Sequence, residues 1–154
     1  MQVITTIDEL RAHVGEELSV SGWLEITQAL VDQFADATGD HQWIHVDVER
    51  ARRESPFGGT IAHGYLTLSL HFPPPEEGAE VKLATRLNVN YGLNRVRFLA
   101  PVKVGKRVRS RVKFLSLEQI SDDVYQGVRQ NTVEIEGEAK PAMVSEHISR
   151  FYFK

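Results

Sequence analysis

A chain of 154 residues, 42% hydrophobic and 25% charged, is long enough for one core and too short for two, which predicts a single domain over residues 1–154. Eighteen basic against twenty-one acidic residues give a net charge of -3, which excludes the basic footprint of a nucleic-acid binder; the lack of cysteine excludes disulfides, thiolate metal ligands and a cysteine nucleophile. No apolar run approaches the thickness of a bilayer, and the opening MQVITTIDELRAHVG has neither the basic flank nor the apolar stretch of a leader, so the expectation is no membrane partner and a cytoplasmic location.

In chain order, LSVSGWLEI reads as a strand. Thr27 is an N-cap, after which Leu30, Val31, Phe34, Ala35 and Thr38 recur at helical spacing until Gly39 stops the helix, leaving Asp40 just beyond its end. A second short helix starts at Asp47, carries Glu49 in its first turn and ends near Ser55-Pro56. After Gly58-Gly59-Thr60 comes IAHGYLTLSLHF, apolar or small on almost every side, which predicts a helix held in the interior. The prolines of FPPPEEGAE (Phe72 to Glu80) read as a break. Beyond residue 80 the period becomes two, with strands near 86–98, 107–118, 124–136 and 142–153, read as an antiparallel meander with a bulge or bend at Gly92. The fold class expected is α+β: a curved antiparallel sheet wrapped around the buried helix, a single layer that needs a partner to finish its core.

Two constellations carry chemistry. Asp40 and His45 would point to different faces of a regular helix, so they converge only if DHQWIH is a loop; a carboxylate and an imidazole that share a pocket can move protons or hold one water. The structural alternative is a capping aspartate and a satisfied interior histidine, and spacing alone leaves both open. Gly58-Gly59-Thr60 leads into the buried helix with His63 and Gly64 in its first turn, where free N–H groups can stabilise a developing oxyanion; equally, Gly64 can serve only close packing. No histidine spacing suits zinc, so no metal is expected, and His13, His71 and His147 read as isolated surface or packing residues.

Together, FADATGDHQWIHVDVERA and GGTIAHGYLTLSL resemble the MaoC-like or hydratase 2 family of R-specific enoyl-CoA hydratases, and the likeness extends through NYGLNRVRFLAPVKVG. The resemblance implies the hotdog fold, a homodimer, and hydration of a trans-2-enoyl thioester to an R-3-hydroxyacyl thioester, with coenzyme A as part of the substrate and no metal or redox cofactor. It implies that Asp40 and His45 hold the reacting water and that the Gly64 N–H polarises the thioester carbonyl. It further implies a substrate-lining role for Ser69; from the residues themselves, Gln42, His63 and Asn94 are candidate substrate contacts. The family pattern Gly-Asp-x-Asn-Pro-hydrophobic-His is broken here by Gln42-Trp43: Gln42 keeps an amide with a longer reach, while Trp43 lacks proline's fixed φ and must hold the turn by other means, such as burial of its indole.

Arg107, Arg109, Arg111 and Lys113 alternate with less polar residues and make one strand face basic, read as a solvated face in preference to a docking patch for coenzyme A phosphates or an acyl carrier protein. Asn90, Tyr91, Asn94 and Arg95 border either the pocket or the dimer seam. Two other functions are weighed against hydration: a thioesterase on the same fold, in which water attacks the carbonyl carbon, and a non-catalytic subunit that binds acyl thioesters but has lost turnover through Gln42-Trp43.

Overall fold

The computed structural model describes residues 1–154 and contains eight strands and five short helices. In order they are β1 (Gln2–Ile4), α1 (Ile7–Ala12), β2 (Glu17–Ser21), β3 (Leu24–Glu25), α2 (Gln28–Thr38), α3 (Trp43–Val46), α4 (Val48–Glu54), α5 (Gly64–Ser69), β4 (Pro75–Val81), β5 (Leu87–Phe98), β6 (Arg107–Ser121), β7 (Val124–Ile135) and β8 (Met143–Tyr152). The sheet runs β1-β4-β2-β6-β7-β8-β5, with β3 also on β6; β1 and β4 are parallel and every other pair is antiparallel. This is the α+β architecture expected, and its structural relatives below carry the hotdog fold.

Local chemistry sets the helix ends as expected. The Thr27 hydroxyl accepts from the Leu30 N–H at 3.2 Å to start α2, and Gly39, at φ 82°, turns the chain out of it in a left-handed conformation that a side chain resists. The Asp47 carboxylate starts α4 in the same way, accepting from the Arg50 N–H at 2.9 Å.

Four expectations change. The predicted strand over LSVSGWLEI is interrupted at Gly22-Trp23 into β2 and β3. The predicted helix over IAHGYLTLSLHF is only the six-residue α5, because Ile61 is drawn into a bridge with Lys103 and Leu70 is already extended before the prolines. Nor is α5 interior on all sides: Leu66 and Thr67 are buried, but Tyr65 is 70% exposed. FPPPEEGAE is not merely a break, since Pro75–Val81 forms β4 between β1 and β2. Finally, the meander is only β6-β7-β8. β5 pairs with β8 because the segment after it is stitched elsewhere: the Val102 carbonyl accepts from Ala62 N–H, Val104 N–H donates to Thr60, and Gly105 N–H donates to Ile26. The irregularity at Gly92 is present, as a register shift between Asn90 and Gly92.

The inner face holds two apolar clusters. One joins α2 and α5 to the sheet through Ile26, Val31, Leu66, Val108, Val133 and Met143; the other gathers Ile4, Leu10, Leu18, Ala79, Phe114 and Phe151 around α1 and β4. The first anchors the loop after α2 against the start of α5.

Candidate active site

Asp40 leaves the end of α2 and bends the chain on itself, its Oδ1 accepting from the Gln42 N–H at 3.3 Å. The expected loop over DHQWIH is therefore a turn at 40–42 followed by the single helical turn α3, closed by His45 N–H on the Gln42 carbonyl and Asp47 N–H on that of Trp43. Trp43 is half-buried, and the Arg50 guanidinium lies 4.3 Å from its ring centroid, so the turn is held by these bonds and a cation–π stack in place of proline.

α3 carries His45 inward to 7% exposure. Its Nδ1 donates to the Ile61 carbonyl at 2.7 Å, which assigns the proton to Nδ1 and leaves the Nε2 lone pair free. Burial lowers the His45 pKa below 6.5; the Ile61 bond opposes this, the His63 ring adds to it, and the Asp40 charge opposes it. The imidazole is thus neutral near pH 7. His63, 3% exposed at the N-cap of α5, stacks on it with centroids 3.8 Å apart and 24° between planes, while Phe34 packs on His63 at 4.9 Å. His63 Nε2 donates to the Asp40 carbonyl at 2.9 Å, tying α5 to the aspartate turn and leaving its Nδ1 buried without a partner.

Donor atoms of Asp40, His45 and His63 all lie within 4.8 Å of one another. A water bonded to a carboxylate and an imidazole at about 2.8 Å each spans roughly 4.5 Å between them, a span compatible with the separation of Asp40 and His45. The same three residues form a set that could hold a metal ion, although the two imidazoles are stacked, with 24° between their planes.

Gly64, the first residue of α5, has an N–H with no acceptor within its helix. A Cβ there would stand 3.1 Å from the Phe98 ring, so glycine is what lets that side chain close over the helix start. His45, Gly64 and Thr67 share an apolar cavity of about 330 Å³ with Phe57, Phe98 and Val102. Residues 9–136 match the MaoC like domain family. The chain belongs to that family.

Among relatives of this MaoC-like domain, 3-hydroxyacyl-thioester dehydratase Z of Mycobacterium tuberculosis is 48% identical over 98% of this chain and 99% of its own. Nodulation protein N of Rhizobium leguminosarum bv. viciae is 43% identical over 96% of this chain and 92% of its own. In structure, the monoamine oxidase regulatory protein of Archaeoglobus superposes with a TM-score of 0.75 at 19% identity over 99% of this chain and 97% of that one. The (R)-hydratase from A. caviae superposes at 0.63 and 20% identity over 87% and 95%. The MaoC-like chain is an enzyme of the hydro-lyase type.

Of the residues singled out in the sequence, Asp40, His45 and His63 cluster here, and Gly64 shares the adjoining cavity with His45. Gln42 joins through its backbone, its side chain being exposed. Ser69 sits at the far end of α5, its hydroxyl donating to the Tyr65 carbonyl at 2.7 Å, and Asn94 is exposed on β5; neither lines the cleft of His45 and Gly64. The basic face of β6 is a solvated one largely neutralised by glutamates: Arg107 pairs with Glu136, Arg109 with Glu134, and Arg111 with both Glu134 and Glu17.

Sequence reasoning missed Gln28. Its Nε2 donates to the His45 carbonyl at 2.7 Å and to Asp32 at 2.8 Å, and its Oε1 accepts from Thr60 at 2.6 Å, clasping α2, α3 and the glycine-rich segment. A glutamine opening a helix has no sequence signal that marks such a contact.

Proposed function

We propose that this protein adds water to trans-2-enoyl thioesters of coenzyme A to give R-3-hydroxyacyl thioesters, and dehydrates them in reverse. The observation that supports it is the pairing of Asp40 with a neutral His45 that shares its cavity with Gly64, the first residue of α5. The water oxygen bonds to C3 of the enoyl group as the C2=C3 electron pair moves toward the carbonyl, whose oxygen takes negative charge opposite the Gly64 N–H. Between them, Asp40 and His45 accept one proton from the water and return one to C2, so the pair ends as it began. Only water and protons move, and the reaction needs no redox cofactor.

A second copy of the chain completes the reading. The outer edge of β5 is unpaired, and Tyr65, Leu87, Val89, Tyr91, Leu93 and Phe98 are exposed on β5 and α5, with Phe98 lining the cleft. A homodimer closing there would exclude water from the cavity mouth. The test is loss of enoyl absorbance on crotonyl-CoA and a medium-chain enoyl-CoA, with free thiol followed in parallel and the product resolved by hydroxyl configuration. Absorbance loss without thiol, giving the R product, is expected; thiol release would make the protein a thioesterase, and binding without either signal a non-catalytic subunit.

A further inference from the structure

The inner face of a sheet packed on its own core should be apolar, yet a polar band crosses this one between the two apolar clusters. It runs from Ser110 on β6 through Asn131 and Arg129 on β7 to Ser145 and His147 on β8, with Asn131 opposite Ser145 and Arg129 opposite His147. Ser110, Asn131, Arg129 and His147 of this band floor a cavity of about 370 Å³ whose other wall is the end of α5 and the segment after it, including Ser69 and His71.

Arg129 is the unusual member. Burial alone lowers its pKa, with no carboxylate or hydrogen bond opposing it. The one acid on the cavity wall, Glu80, is paired with Lys82 at 2.9 Å. His147 adds no anion: burial and the Arg129 charge hold its pKa down to about 4, and its Nε2 meets the Ser145 hydroxyl at 2.8 Å. Ser110 Oγ and Asn131 Oδ1 are buried in the same cavity with no partner. On the neighbouring strand β6, by contrast, Arg107, Arg109 and Arg111 each have a glutamate partner.

Arg129 is half-buried, and a partly desolvated guanidinium without an anion costs stability that a ligand's negative charge would recover. A single cation with a planar fork of donors matches one negative charge on a planar group; a phosphate would call for a second cation, which neutral His147 does not provide. We propose that this cavity binds a carboxylate, gripped by the Arg129 guanidinium with the Ser110 hydroxyl as a further donor. The carboxylate comes either from a small organic acid or from the far end of an acyl thioester. α5 runs from Gly64 in the cleft to Ser69 at this cavity, roughly 9 Å of helix that an acyl chain of medium length spans. That second source rests on the function proposed above.

The full chain is titrated by calorimetry with hexanoate and with hexanamide, which differ in charge but hardly in shape, as wild type, Arg129→Met and Arg129→Lys. Wild type should prefer hexanoate by about tenfold or more, Arg129→Lys should keep part of that preference, and Arg129→Met should lose it. Because it removes an uncompensated charge, Arg129→Met should also melt no lower than wild type when ligand-free. Equal binding of hexanoate and hexanamide by wild type, no binding of either, or a preference unchanged in Arg129→Met would overturn the proposal. Calorimetry needs no turnover, so a failure to bind hexanoate and a failure to hydrate enoyl thioesters are separate outcomes. Turnover then separates the sources: a kcat/KM advantage of an enoyl-CoA ending in carboxylate over trans-2-octenoyl-CoA, lost in Arg129→Met, assigns the anion to the acyl substrate. Hexanoate binding without that advantage assigns it to a separate ligand.

Discussion

His45 is held as a neutral imidazole because its surroundings penalise the charged form. Burial comes first among the causes that hold its pKa below 6.5, and the stacked His63 adds to it. In the proposed reaction, protonation would occupy the Nε2 lone pair needed to hold the water, so kcat/KM should fall on the acid side with a midpoint below 6.5; a pH–rate profile with its acid limb above 6.5 would contradict this. Gln28 acts on the same residue from behind. Gln28→Leu leaves the His45 carbonyl and Thr60 hydroxyl without their partner, which should cost about 1–3 kcal/mol in denaturant unfolding. It should also lower kcat more than it raises KM, since Gln28 touches the α3 backbone and not the cleft; an unchanged kcat would show that the clasp does not position His45.

Elements bounded by local chemistry could be read directly from the chain. Thr27, Gly39 and Asp47 act through side-chain oxygens or backbone torsions within a few residues, and α2 and α4 begin and end where those residues say. The Asp40 and His45 pairing was legible for the same reason, since Gly39 ends one helix before the next turn begins. The His63 stack, the Gln28 clasp and the polar band were not, because each depends on segments brought together from far along the chain. α5 falls short of its apolar pattern because tertiary bonds to 102–104 claim residues 60–62. β4 was hidden by its proline and by Gly78, whose φ of 82° and close approach to the Leu18 carbonyl serve the pairing of β4 with β2. Gly78→Ala combines backbone strain with a clash against main chain and should destabilise by about 2–4 kcal/mol in the same unfolding measurement; a loss below that range would mean that the strand pair adjusts freely.

For the molecule as a whole, the open side is informative. A long edge strand that is unpaired on one side, beside an α5 whose Tyr65 is 70% exposed, leaves the sheet wrapped around only part of its helix. Light scattering should give twice the chain mass, and Val89→Lys on β5 should shift it toward the chain mass; a monomeric wild type would contradict the dimer. The most direct test of the proposed water-holding pair compares crotonyl-CoA hydration by wild type with Asp40→Asn and His45→Gln, at equal concentrations of folded protein. Each variant should lose roughly a hundredfold to ten-thousandfold in rate while keeping wild-type circular dichroism and assembly. Near-normal rates in either would show that the reacting water is held elsewhere.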